Sequence, residues 1–97
     1  MGLHVKKGLL EKIVNEHRLK TWPEFFKAIN EKNKTFEIRK NDRNFQWGDI
    51  LVLEEYDPER NVYTGRKLRF KVGYMIQGIC GLPDDICCMS LLREGGN

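Results

Sequence analysis

A chain of 97 residues has length for one hydrophobic core and not for two, so a single domain is expected. Its 40% hydrophobic and 32% charged residues are those of a folded globule, and no apolar run approaches the roughly 20 residues that cross a bilayer, which excludes a membrane-spanning helix. The formal net charge of +3 permits a nucleic-acid partner without demanding one.

The first residues, Met1-Gly2-Leu3-His4-Val5-Lys6-Lys7, lack the apolar stretch and small-residue cleavage site of a secretory signal, so a cytoplasmic location is expected. Cys80, Cys87 and Cys88 make an odd count, and the adjacent pair bridges only with strain. Reduced thiols are therefore expected. A zinc site needs four ligands at recognisable spacing, and His4 and His17 lie far from the cysteines in sequence, so neither a metal nor a cofactor is expected.

Over residues 9 to 16, Leu9, Leu10, Ile13 and Val14 recur at helical spacing and predict a short amphipathic N-terminal helix, an extension over residues 1–16 ahead of the domain at 17–97. His17-Arg18-Leu19-Lys20 is compatible with a strand. Thr21 and Glu24 form a Thr-x-x-Glu capping box with Pro23 in the first turn, which predicts a helix starting there. Trp22, Phe25, Phe26 and Ile29 form one apolar stripe along it, read as core in preference to a base-stacking platform.

Lys34-Thr35-Phe36-Glu37-Ile38-Arg39-Lys40 is a short alternating strand, Phe36 and Ile38 on one face, Thr35, Glu37 and Arg39 on the other. A carboxylate and a guanidinium two residues apart suit either mutual neutralisation or joint capture of a polar ligand. Asn41-Asp42-Arg43-Asn44 has the composition of a turn, and Ile50-Leu51-Val52-Leu53 that of a central strand buried on both faces. Turn residues at 57–61 and at Thr64-Gly65 predict a hairpin around Val62-Tyr63.

Residues 67 to 76 alternate cleanly, with Leu68, Phe70, Val72, Tyr74 and Ile76 on one side and Lys67, Arg69 and Lys71 beginning the other, a basic row without an acidic residue among them. Residues 77–85 read as a loop, residues 86–92 as a closing strand, and 94–97 as a frayed tail. Phe36, Ile38, Val52, Leu68, Phe70, Val72 and Tyr74 are the expected core. The pattern predicts an α+β domain with a small, largely antiparallel sheet and flanking short helices, closing on itself to hide its edges.

Four blocks in order, Trp22-Pro23-Glu24-Phe25-Phe26, Lys34 through Arg43, Gly48-Asp49-Ile50-Leu51, and Tyr56-Asp57-Pro58 with Tyr63-Thr64-Gly65, resemble a small uncharacterised ASCH-type family of the PUA-like superfamily. The likeness covers residues 17 to 92 and implies a PUA-like compact pseudo-barrel with a cleft lined by Lys34, Glu37 and Arg39. RNA binding is the function this resemblance implies. Some ASCH members are amidohydrolases acting on modified cytidine through a Lys and a Thr of this motif and a distant Glu; Lys34 matches that lysine, while Glu37 stands where the threonine falls. Lys32 stands where the group usually has glycine.

The expected function is therefore an RNA- or nucleotide-binding module. Arg39 would hold a phosphate or base edge by its planar fork, Glu37 would accept from an exocyclic amine, and Lys34 would add point charge. Lys20, Lys40, Lys67, Arg69 and Lys71 would be auxiliary basic residues. The alternatives are an amidohydrolase in which Lys34 is catalytic, and a protein-binding adaptor acting through an exposed edge or the N-terminal helix. The bland reading is an exposed Glu37–Arg39 ion pair worth roughly 0 to 1 kcal/mol.

Overall fold

A computed structural model of the protein describes residues 14–93. The chain runs β1 (Glu16–Thr21), α1 (Pro23–Asn30), β2 (Phe36–Lys40), β3 (Ile50–Asp57), β4 (Val62–Gln77) and β5 (Ile86–Arg93). All five strands form one sheet in the order β1-β3-β4-β5-β2, with β1 parallel to β3 and every other pairing antiparallel. It is a mostly antiparallel half-barrel with one short helix among the described residues.

β3 is the spine. All of Ile50, Leu51, Val52 and Leu53 are buried, as the unbroken apolar run predicts for a strand covered on both faces. Leu51 and Leu53 join Leu19, Ile29, Phe45, Phe70, Val72, Cys87, Met89 and Leu91 in one core. The alternation Cys87, Met89, Leu91 turns one face of β5 into that core.

Helix α1 starts without the predicted capping box. Thr21 ends β1, where its hydroxyl donates to the Leu19 carbonyl at 3.3 Å, and Trp22 is the N-cap without a side-chain cap bond. Pro23 at the first helical position supplies the start instead, its fixed φ already helical and its missing N–H one of the unpaired donors anyway. Of the apolar stripe, Phe26 and Ile29 are buried while Trp22 and Phe25 stay largely exposed, so the stripe is half core and half surface.

Other expectations are corrected by the sheet. Phe36 and Ile38 are 41% and 49% exposed, and it is Glu37, at 4%, that is buried. The cause is register: Glu37 lies opposite Met89 and Arg39 opposite Cys87, and residues directly opposite in an antiparallel pair share a face, here the core face of β5. Tyr74 is also outside. The predicted turn at Thr64-Gly65 is instead part of β4, which runs on for 16 residues with a register shift opposite Glu55 and Gly65 at φ 94°. The predicted N-terminal helix falls mostly on residues outside those described; Val14 and Asn15 carry no regular structure, and Glu16 already belongs to β1.

Candidate functional site

β1 and β2 are the two edges of the sheet, and side chains rather than a ladder join them. Arg39 Nη2 donates to the Lys20 carbonyl at 2.7 Å, and Arg43 Nη1 donates to the Arg18 carbonyl at 2.7 Å. Residues 18 and 20 have the spacing that puts both carbonyls on one strand edge, where no neighbouring strand would otherwise satisfy them. The two guanidinium groups thus hold the half-barrel nearly shut and leave a cleft above Arg39.

That cleft, about 390 Å³, is lined by Lys20, Thr21, Trp22, Phe25, Lys34 and the segment Phe36 to Arg39. At its floor the buried Glu37 carboxylate takes one cation on each oxygen: Lys34 Nζ at 3.1 Å on Oε1 and Arg39 Nε at 2.6 Å on Oε2. Lys34 also donates to the Phe36 carbonyl at 2.8 Å and sits 4.9 Å from the Phe36 ring and 5.9 Å from that of Phe25. Burying a lone carboxylate would carry a desolvation penalty of several kcal/mol, and two cations with charge-assisted bonds offset it. Lys34, Arg39 and Lys20 outnumber the one carboxylate in the lining, so the cleft carries net positive charge.

The helix end delivers Lys34 to this place. Lys32 N–H donates to the Ile29 carbonyl at 3.0 Å and Asn33 N–H to the Ala28 carbonyl at 2.9 Å, the paired bonds of a Schellman stop, with Lys32 left-handed at φ 66°. That is a conformation that glycine adopts without the steric cost a Cβ brings. Lys34 N–H also reaches the Ala28 carbonyl, at 3.0 Å, and Arg93 Nη2 reaches that of Ile29.

The sequence-predicted residues Lys34, Glu37 and Arg39 therefore come together, and Lys20 joins them, its ammonium 4.3 Å from the Tyr56 ring centroid. Lys40 is exposed beyond the cleft. The basic row is corrected: Lys67 pairs with Glu54 at 3.8 Å and Arg69 with Glu16 at 3.1 Å, because β3 and β1 bring acids beside it that the β4 sequence does not contain. Lys71 has no ion-pair partner among the described residues. Thr35 lines a different depression with Phe70 and Arg93; the hydroxyl in the cleft is that of Thr21. Trp22, Phe25, Phe36 and Ile38 are the cleft residues that sequence reasoning assigned to the core.

Cys80 is exposed, Cys87 buried and Cys88 half-buried, all as free thiols. Burial pushes the Cys87 thiol up from its ordinary pKa. Among the described residues no group of three His, Cys, Asp or Glu side chains stands close enough to hold a metal ion, and no helix is long and apolar enough to cross a membrane.

These features define a class: a small mixed-sheet half-barrel with a neutralised carboxylate at the floor of a basic, aromatic-walled cleft. Residues 16–91 match the DUF3850 family, a domain of unknown function, and the chain belongs to that family. It is also 38% identical over 56 residues to an uncharacterized 12.9 kDa protein in the GpA 3′ region of Escherichia phage P2, a match covering 58% of this chain and 50% of the phage protein. The chain spans about half the length of that relative.

Proposed function

We propose that the cleft binds RNA or a nucleotide-like ligand, an anionic group meeting Lys34 and Arg39 and a base lying against the aromatic wall. The observation that carries this reading is the buried Glu37, held by two cations that keep further donors turned to open space. Arg39 uses two of its five N–H groups and Lys34 two of three, so one side of each is left for a phosphate. Glu37 fixes both cations in place and retains a lone pair on each oxygen for an exocyclic amine. Trp22, Phe25 and Phe36 supply the flat apolar faces on which a base stacks. An ASCH-type, PUA-like kinship agrees with a half-barrel whose cleft opens at the Lys-x-x-Glu-x-Arg segment, and RNA binding is the use that kinship favours.

The test contrasts the cleft with the outer face of β4. Arg39→Ala and Glu37→Gln are expected to lower affinity for the preferred ligand by about 1 to 3 kcal/mol relative to other ligands. Lys71→Ala is expected to weaken every polyanion alike and to flatten the salt dependence by about one phosphate's worth. Titration of each variant with short RNAs at several salt concentrations reads both. Equal, unselective losses for Arg39→Ala and Lys71→Ala would leave Glu37 and Arg39 as a structural ion cluster and no more.

A further inference from the structure

The most exposed aromatic rings in the described chain are not in the cleft. Tyr74 is 81% exposed and Trp47 79%, and both line a second, wider groove of about 660 Å³. The rest of its lining is Asn41, Asn44, Gln46 and Gln77 with Phe45, Gly73, Met75 and Ile76, and it contains no charged side chain.

Both rings are held outward by built features. Val72 pairs with Leu91 and Met75 with Met89, so Gly73 and Tyr74 together oppose Ser90 in a bulge, and the Tyr74 N–H donates to Ser90 Oγ at 2.8 Å. A side chain at position 73 could not replace the glycine without movement, since its Cβ would stand 2.5 Å from Ser90 Oγ and 2.9 Å from Leu92 Cγ. The Trp47 loop is tied to the same strand just before the bulge: Gly48 N–H donates to the Val72 carbonyl at 2.9 Å, and Val72 N–H to that of Asp49 at 2.7 Å. Loop and bulge therefore move together and fix the two rings on one groove.

The amides are arranged as well. Asn41 accepts from the Phe45 N–H at 2.8 Å and donates to Gln77 Oε1 at 2.7 Å, while Gln46 Nε2 donates to Asn44 Oδ1 at 2.9 Å. The last bond uses the Gln46 amide as donor and the Asn44 amide as acceptor, leaving Gln46 Oε1 to accept and Asn44 Nδ2 to donate. A neighbouring acceptor and donor beside two exposed rings match the hydrogen-bonding edge and the face of a nucleobase. The two linings come close in sequence, since Arg39 belongs to the cleft and Asn41, two residues on, to the groove.

From these features we infer that the groove is a second, uncharged base subsite, which takes a further nucleotide of the single-stranded RNA whose phosphate lies in the cleft. This rests on the cleft reading above for the identity of the ligand. The neutral lining separates the roles: the cleft supplies charge, and the groove supplies stacking and an amide edge.

The chain's two tryptophans report the two sites separately, since Trp22 lines the cleft and Trp47 the groove. In Trp47→Phe only the cleft emits, and in Trp22→Phe only the groove. Cytidine monophosphate, whose base carries an exocyclic amine, is expected to quench Trp22 and leave Trp47 unmoved, while hexacytidylate quenches both. Tyr74→Ala and Trp47→Ala, both at surface positions, are expected to weaken hexacytidylate roughly five- to a hundredfold each and to leave cytidine monophosphate binding unchanged. Quenching of Trp22 alone by hexacytidylate overturns the groove and leaves the cleft reading standing. Quenching of Trp47 alone overturns both the cleft reading and the shared strand, and no quenching at either overturns both sites. Quenching of Trp47 by an uncharged oligosaccharide and not by hexacytidylate makes the groove a sugar platform and overturns the inference.

Discussion

Glu37 and Asp49 are both buried carboxylates, and the half-barrel treats them in opposite ways. Asp49 gathers its partners on one oxygen: His17 Nε2 stands at 2.8 Å from Oδ2 and the Gln46 N–H at 3.0 Å, and the His17 ring packs edge-on against Phe45, 4.8 Å between centroids. Neither Asp49 nor His17 lines the cleft or the groove. Glu37 spreads its partners over both oxygens, and both partners face a cleft with donors to spare. A buried charge is thus no mark of function by itself. What distinguishes the Glu37 cluster is a pair of cations with donors to spare at the lining of a cleft, whereas the Asp49 cluster lines neither depression and fastens a loop to β1.

The largest expected effect belongs to neither carboxylate and sets the scale for both. Phe70 is buried in the core, with the Arg93 guanidinium 5.0 Å over its ring. Phe70→Ala should lower stability by about 3 to 5 kcal/mol, as for other buried aromatics. A urea midpoint that did not move would mean that β4 does not turn this face inward.

Next come the carboxylates. Asp49→Ala leaves the His17 nitrogen and the Gln46 N–H short of an acceptor, and Glu37→Ala leaves Lys34 and Arg39 without their shared anion; each should lose about 1 to 3 kcal/mol. The Glu37 loss stays below that of a fully buried pair because the Lys34 and Arg39 side chains are 20% and 28% exposed and rehydrate in part. The two variants part in binding. Glu37→Ala should change which nucleoside monophosphate the cleft prefers, and Asp49→Ala should not. An altered preference in Asp49→Ala, measured by the same titrations, would break the distinction between a fastening carboxylate and a site carboxylate.

Much of this was legible in the sequence where one strand decides its own fate. The β3 run, the β5 closing strand, the Val72 and Phe70 positions, and the shared face of Glu37 and Arg39 follow from local pattern, whereas Lys34, which alternation puts on the opposite face, was grouped with them by the family resemblance alone. What was not legible depended on a partner strand. The alternation in β2 says that Phe36 and Ile38 share a face but not which face, and the register with Met89 and Cys87 turns the charged one inward. The bulge at Gly73 inverts the outcome for Tyr74, and only the close approach of Ser90 explains it. The acids beside Lys67 and Arg69 come from strands that a reading of β4 alone cannot see. Trp22 and Phe25 share a helical stripe with Phe26 and Ile29, and the stripe is wider than the surface the sheet offers it.

The smallest expected effect tests how the site cluster is delivered. Lys32 holds φ 66° at the end of α1, a left-handed conformation that places a non-glycine Cβ against its own backbone at a cost of about 1 to 2 kcal/mol. Glycine removes that strain and gives back roughly 0.5 to 1 kcal/mol through the larger entropy of its unfolded chain. Lys32→Gly should therefore be more stable than the native chain by roughly 0.5 to 1 kcal/mol. Lys32→Ala supplies the control, because it removes the same charge and keeps the strain, and its midpoint should stay near the native one. Since the Schellman bonds that present Lys34 use backbone groups alone, neither change should alter ligand preference in the cleft. A glycine variant no more stable than the alanine variant would mean that the turn before Lys34 is not left-handed. Lys34 would then reach Glu37 by some path other than the helix stop, and the contrast with the loop-fastened Asp49 would lose its structural basis.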